Sequence, residues 1–292
     1  MNGVMNMWSK EEIAERMVTY RTPHYAKEFP IILFWSQKSG CTSLVKWFFD
    51  QIGLLDKAIS YNPWVHHYEF EIYNQNEVLM KELREHLYQH KKKGYKLVRD
   101  PYKRAVSAFL MMLGENTFWH TILGNVREHL YGDRESRKRL AFTDFLRYVK
   151  ETGPGVTLID GHFAQQYIEG EERFVNKYIY LERFMEQLAE LEEVYGLKKT
   201  DPRNFSESPH HFAPAMIHKG DYAEADIFDP LFPKLPTYDS FYNKETRQLV
   251  REIYAKDFEM YGYDRNDPAA GLDIRDGRLY PPIEPGLGGQ VH

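Results

Sequence analysis

The stretch from Ile31 to Phe49 constrains the fold more than any other part of the chain. Five large apolar residues, Ile31 to Trp35, stand directly behind Pro30, the pattern of a central strand with both faces covered. From Leu44 the period changes. Leu44, Val45, Phe48, Phe49 and Ile52 recur at helical spacing, Lys46 and Asp50 fall on the other side, and Gly53 suits the helix end. Between strand and helix lie Gln37, Lys38, Ser39, Gly40, Cys41, Thr42 and Ser43. A loop that opens a helix offers unpaired backbone N–H groups and the positive end of the helix dipole. Glycine lets an anion come close to that backbone, and a lysine with hydroxyls completes the cradle. Taken alone, the segment also fits a plain strand–turn–helix junction with a solvated lysine.

A second segment has the same layout. Lys96 to Arg99 reads as a short strand ending in arginine, Asp100 as an N-cap, and Pro101 as a first-turn residue. Tyr102, Val106, Phe109 and Leu113 make the apolar stripe of the helix that follows. Arg99 is thus fixed at a strand end, with Ser107 two turns into the helix. A planar guanidinium and an adjustable hydroxyl suit a phosphate group.

Together, Gln37 to Leu44 and Arg99 to Ala108 resemble the two nucleotide-binding signatures of the sulfotransferases that use 3′-phosphoadenosine-5′-phosphosulfate, and are most similar to the membrane-type carbohydrate enzymes. Diffuse similarity extends over roughly residues 28–264, through Gly161 to Gln166, Lys177 to Phe184 and Phe241 to Tyr263. The resemblance implies an α/β fold: a three-layer, P-loop-like sulfotransferase architecture with a mainly parallel central sheet flanked by helices. It implies that Lys38 stabilises the leaving group. Ser39, Gly40, Cys41, Thr42 and Ser43 would cradle the 5′-phosphosulfate, and Arg99 and Ser107 would hold the 3′-phosphate. Lys219, in a faint counterpart of a basic segment, is added to the donor site. The implied acceptor is a hydroxyl, expected on a carbohydrate or glycoconjugate, and no metal is needed.

An acceptor hydroxyl must lose a proton as it attacks sulfur, a task for histidine near neutral pH or for a carboxylate of raised pKa. Such a base is expected between the two motifs, in the irregular aromatic stretch 54–74, where His66 and His67 are the candidates and Glu69 and Glu71 stand behind them. Either histidine could equally be a loop residue without a role. His162, Gln165 and Gln166 are secondary candidates for acceptor or donor contacts, or buried hydrogen-bonding residues. Trp64 and Trp119 could stack on a sugar or belong to the core. His86 and His90 lie four apart on a predicted helix over 76–93 stopped by Gly94, and lack an evident third metal ligand. His210 and His211, in a proline-rich loop, are not assigned to a metal either.

Further helices are predicted over 11–18, 143–150, 184–195 and 243–258, with a strand over 178–181. The 292 residues are 42% hydrophobic and 15% aromatic, enough for one large α/β domain over 1–264 followed by an extended tail over 265–292. The net charge of −5 argues against general nucleic-acid binding. One cysteine excludes an intrachain disulfide and a thiolate zinc cluster. No apolar run approaches the ~20 residues of a membrane span, and a soluble protein of the bacterial cytoplasm is expected. A P-loop kinase or NTPase is the rival enzyme, but its lysine follows the last glycine, whereas Lys38 precedes Gly40. A non-catalytic sulfotransferase-like binding protein is the other alternative.

Overall fold

In the computed structural model, residues 8–201 and 216–266 are described. Three parallel strands form the sheet in the order β1 (Ile31–Phe34), β2 (Lys93–Val98) and β3 (Lys177–Tyr180). Leu33 pairs with Tyr95, and Leu97 with Ile179. Alternation along each strand splits the core in two. Ile31, Leu33, Tyr95, Leu97 and Ile179 face one side, with Leu44, Trp47, Phe48 and Phe49 of the helix Cys41–Gln51. Ile32, Phe34, Val98 and Tyr178 face the other, with Tyr102, Val106 and Phe109 of the helix Pro101–Leu110. Each such side chain contributes about 1.5–3 kcal/mol by leaving water, so both faces of β1 are sealed, as its unbroken apolar run requires. The result is the expected three-layer α/β fold, with one difference. β1 is not the central strand; it is at the edge, where His24 bridges it by exchanging hydrogen bonds with Leu33 (2.9 and 3.1 Å).

The second strand–helix junction is built as expected. Asp100 caps its helix by accepting from the Lys103 N–H (2.9 Å), with Pro101 in the first turn. That helix ends at Leu110, and Leu113 is exposed instead of extending the stripe. The predicted helix over 76–93 runs only from Glu77 to Gln89 and closes on His90 in the left-handed region. Gly94 is not its stop but a residue of β2. A Cβ there would lie 2.1 Å from the Phe174 carbonyl oxygen, so only glycine lets that backbone approach. Stretch 54–74 is helical where irregularity was expected: Leu55–Tyr61 is followed by a turn at His66–Tyr68 and a π-helical turn at Glu69–Tyr73. The closing helix is two, Lys244–Ile253 and Ala255–Tyr261. A helix at Thr117–Tyr131 carries no prior expectation. No helix among the described residues is long and apolar enough to cross a membrane.

Candidate active site

Loop 36–40 is shaped from behind by two buried arginines. Arg104 donates from Nε to the Gln37 carbonyl (2.9 Å) and from Nη2 to the carbonyls of Gly161 (3.3 Å) and His162 (3.4 Å). Arg21 donates to Gln37 Oε1 (2.9 Å) and to the carbonyls of Gln165 (2.9 Å) and Gln166 (2.7 Å). Arg99, from the end of β2, donates to the next carbonyl, that of Lys38 (2.9 Å). With successive carbonyls held on the arginine side, the trans peptide turns the Lys38 N–H the other way. Lys38 itself adopts φ 66°, an uncommon conformation for a side-chain-bearing residue and one that clusters at functional sites.

Gly40, at φ 96°, opens the helix Cys41–Gln51 in the left-handed region, and a Cβ there would meet Leu181 at 2.5 Å. The N–H groups of Gly40, Cys41 and Thr42 have no protein acceptor among the described residues, which leaves them for an anion. Two loop residues differ from the expected cradle. The N–H of Ser43 bonds back to the Gly40 carbonyl (3.0 Å). Ser39 is buried, its hydroxyl donating to the Ser36 carbonyl (2.6 Å), so it braces the turn from inside. Thr42 and Ser43 remain partly exposed at the helix start. Burial lowers the Lys38 pKa to about 8, and the charges of Arg99 and Arg104 push the same way. The ammonium therefore stands in a concentrated positive field, which an arriving anion would relieve.

Arg99 joins this loop to the second motif. Besides the Lys38 carbonyl it donates to the Tyr238 hydroxyl (2.7 Å), leaving part of its guanidinium fork unengaged. Ser107 is half-buried on the following helix, and its side chain has no partner among the described residues. Lys219 is exposed. Its loop is nonetheless tied to the Tyr238 turn, because Thr237 donates to the His218 carbonyl (2.8 Å) and Gly220 to the Ser240 hydroxyl (3.0 Å). No local pattern announced Tyr238 or Arg21; both are brought in by tertiary packing.

The histidines separate clearly. His66 is buried against the loop, its Nε2 3.2 Å from Thr42 Oγ1 and its ring hydrogen-bonded to the Cys41 thiol. Its Nδ1 lies 2.6 Å from Glu69, whose other oxygen is 3.0 Å from His24. Burial disfavours charge on His66, but Cys41 and Glu69 outweigh it and raise its pKa to about 10. Burial likewise opposes ionisation of Glu69, and the two histidines overcome it, bringing that carboxyl down to about 2. For Cys41, burial is again the largest influence, yet the bond to His66 and the charges of His66 and Lys38 draw the thiol below its ordinary value. These neighbours favour the charged form of His66, whereas a base must be neutral to accept a proton. His67 is half-buried and bonds Glu71 (2.6 Å), with the Trp64 ring edge-on to it (5.0 Å).

His162 is tied to the loop through Arg104, which bonds its carbonyl (3.4 Å) and that of Gln37 (2.9 Å). Trp119 is buried with its edge against that ring (4.9 Å), whereas Trp64 is exposed and packs edge-on to His66 (5.6 Å). Gln165 and Gln166 make backbone-directed bonds, and Gln166 is wholly buried. Among the described residues no group of three or more His, Cys, Asp or Glu is placed to hold a metal. His86 packs on Tyr25 and His90 on Phe174. His210, His211 and, beyond Asn266, the expected tail lie outside the described residues.

A strand–loop–helix junction with open N–H groups is thus joined through one arginine to a second strand–helix junction on the same parallel sheet. The family model described as "Sulfotransferase family" matches residues 25–264, and the chain belongs to that family. No curated protein and no solved structure matches the chain.

Proposed function

We propose that the chain transfers a sulfuryl group from 3′-phosphoadenosine-5′-phosphosulfate to a hydroxyl of a carbohydrate or glycoconjugate. The observation that carries this reading is the Arg99 to Lys38 contact of 2.9 Å. It supports the reading by tying the loop expected to cradle the 5′-phosphosulfate to the arginine expected to grip the 3′-phosphate, and a donor lacking the 3′-phosphate would leave the second empty.

On this reading Lys38, Gly40, Cys41 and Thr42 bind the 5′-phosphosulfate through the lysine and open N–H groups, with the hydroxyls of Thr42 and Ser43 beside them. Ser39 supports the turn. Arg99 and Ser107 take the 3′-phosphate, and Lys219 lies on a loop that could fold over it. As the bond to the leaving phosphate breaks, Lys38 meets the charge that develops there. His66 braces the start of the cradle through Thr42 and Cys41 and adds positive charge beside it; His67 stays outside. Saccharide is favoured among acceptors by the exposed indole of Trp64 beside His66, an aromatic face of the kind that pyranose rings pack against.

The test is transfer of label from radiolabelled donor to a panel of chondroitin, heparosan and simple glycosides. Labelled saccharide is the expected product. Label moving only to non-sugar alcohols or phenols would overturn the acceptor class, and binding of the nucleotide without release of label would favour a binding protein.

A further inference from the structure

We propose that His162, oriented by Asp160, is the base that takes the proton from the acceptor hydroxyl. The inference deepens the sulfuryl-transfer reading and rests on it.

Asp160 Oδ1 receives both the backbone N–H of His162 (2.9 Å) and its ring Nδ1 (2.7 Å). These two hydrogen bonds to one oxygen pin the carboxylate and commit Nδ1 to carrying a proton, which leaves the lone pair on Nε2. Nε2 has no partner among the described residues, and the side chain is 26% exposed. Trp119 (4.9 Å) and Phe118 (5.7 Å) pack against the ring and fix its plane. The backbone locks the dyad to the donor loop. Arg104 bonds the carbonyls of Gly161, His162 and Gln37, and a Cβ on Gly161 would lie 2.6 Å from the Gln37 side chain. Gln37 is the residue before Lys38.

The charges bearing on the ring set its state. Burial lowers the His162 pKa below its ordinary value. Asp160 pulls upward, and Lys38 and Arg104 push down with the burial. Asp160 itself is kept ionised: burial raises its pKa, but His162 and Arg104 more than compensate. At neutral pH the imidazole is therefore neutral and can accept a proton, which the charged His66 cannot. In the step, the acceptor O–H proton passes to Nε2 while the acceptor oxygen bonds sulfur. The bond from sulfur to the bridging oxygen breaks, its electron pair stays on the departing phosphate, and the His162 imidazolium then returns its proton to solvent.

The experiment uses the full chain with radiolabelled donor, the saccharide panel above, and water as background acceptor. His162→Gln is expected to lower kcat by about 10²- to 10⁴-fold. The Kd for 3′-phosphoadenosine-5′-phosphate, by calorimetry, should stay within about threefold. Asp160→Asn should lower kcat by about tenfold or more and move the acidic limb of kcat/KM to lower pH, because the upward pull on His162 is gone. A purely structural role would not move that limb. Near-normal turnover in His162→Gln, or an unmoved limb in Asp160→Asn, overturns the proposal. If His162→Gln does not fold, the Asp160→Asn profile decides alone. A wild-type chain that binds the nucleotide but transfers nothing, even to water, overturns the enzyme reading and this role with it; an active wild type beside an equally active His162→Gln overturns the role alone.

Discussion

His66 and His162 each lean on a carboxylate, at 2.6 and 2.7 Å, and each is tied to the loop that carries Lys38, His66 through Thr42 and His162 through Arg104. Their charge states are nonetheless opposite. Glu69 is sealed from solvent between two imidazoles, and His66 also meets the Cys41 thiol, so anionic character surrounds that ring. Asp160 is 25% exposed, and the other charges bearing on His162 are the cations Lys38 and Arg104. A histidine–carboxylate pair is thus no function in itself. The third neighbour decides whether the ring donates or accepts.

Four measurements can break or sharpen that contrast. The largest effect is expected for Glu69→Gln, which strips the buried His66 of its counter-ion. It should cost about 3–5 kcal/mol in urea denaturation, against under about 1 kcal/mol for the partly exposed pair in Asp160→Asn. Equal losses would show that the two pairs are buried alike. Next, Lys38→Ala should lower kcat by about 10²- to 10³-fold while nucleotide affinity changes less than about tenfold. In the same variant His162 should titrate higher by NMR and His66 should move less, since Cys41 and Glu69 govern it. A bystander lysine would leave both turnover and the His162 titration where they were.

Third, 3′-phosphoadenosine-5′-phosphate without magnesium should raise the Tm, by an amount equivalent to about 2.7 kcal/mol at a hundred times its Kd. ATP with magnesium should do much less. The gain should shrink in His66→Gln and persist in His162→Gln, and equal gains from both nucleotides would remove the 3′-phosphate from Arg99 and Ser107. The smallest effect lies in the pH dependence of stability. His66, raised to about 10, contributes stability that is present below the unfolded value and lost as pH rises through about 10. Glu69 contributes stability that is lost as pH falls toward about 2. His162, lowered in the fold, binds a proton more readily once unfolded, so it costs stability as pH falls below the ordinary imidazole range. Replacing His162 should flatten that mildly acidic decline, and replacing His66 should flatten the alkaline one.

Sequence patterns reached as far as contacts within one turn or one junction. The strand and helix flanking Lys38, the Asp100 cap and the Gly196 end of the helix Phe184–Tyr195 all follow from local chemistry. Gly94 misled because a glycine after a helical run resembles a stop, and only the Phe174 carbonyl across the fold shows why it is needed in a strand. His66 was marked as a candidate by its place between the motifs. Its charge depends on Cys41, twenty-five positions earlier, and on Glu69, which faces it only because the stretch is helical. His162 and Asp160 are near neighbours in the chain, but their tie to Lys38 passes through Arg104, a contact that no periodicity encodes.

On the proposed reading, Gln166 gives the nucleotide site a ruler. Its side-chain amide donates to the Arg99 carbonyl (2.8 Å) and accepts from the Arg99 N–H (2.9 Å), as a neighbouring strand would, and the same oxygen accepts from Ser36 (3.4 Å). One side chain therefore sets the gap between the end of β2 and the start of the donor loop. On the proposed reading that gap is the span between the two phosphate ends of the donor. Selectivity for a nucleotide phosphorylated at both ends would then be a matter of length, measured by an amide that the nucleotide never touches.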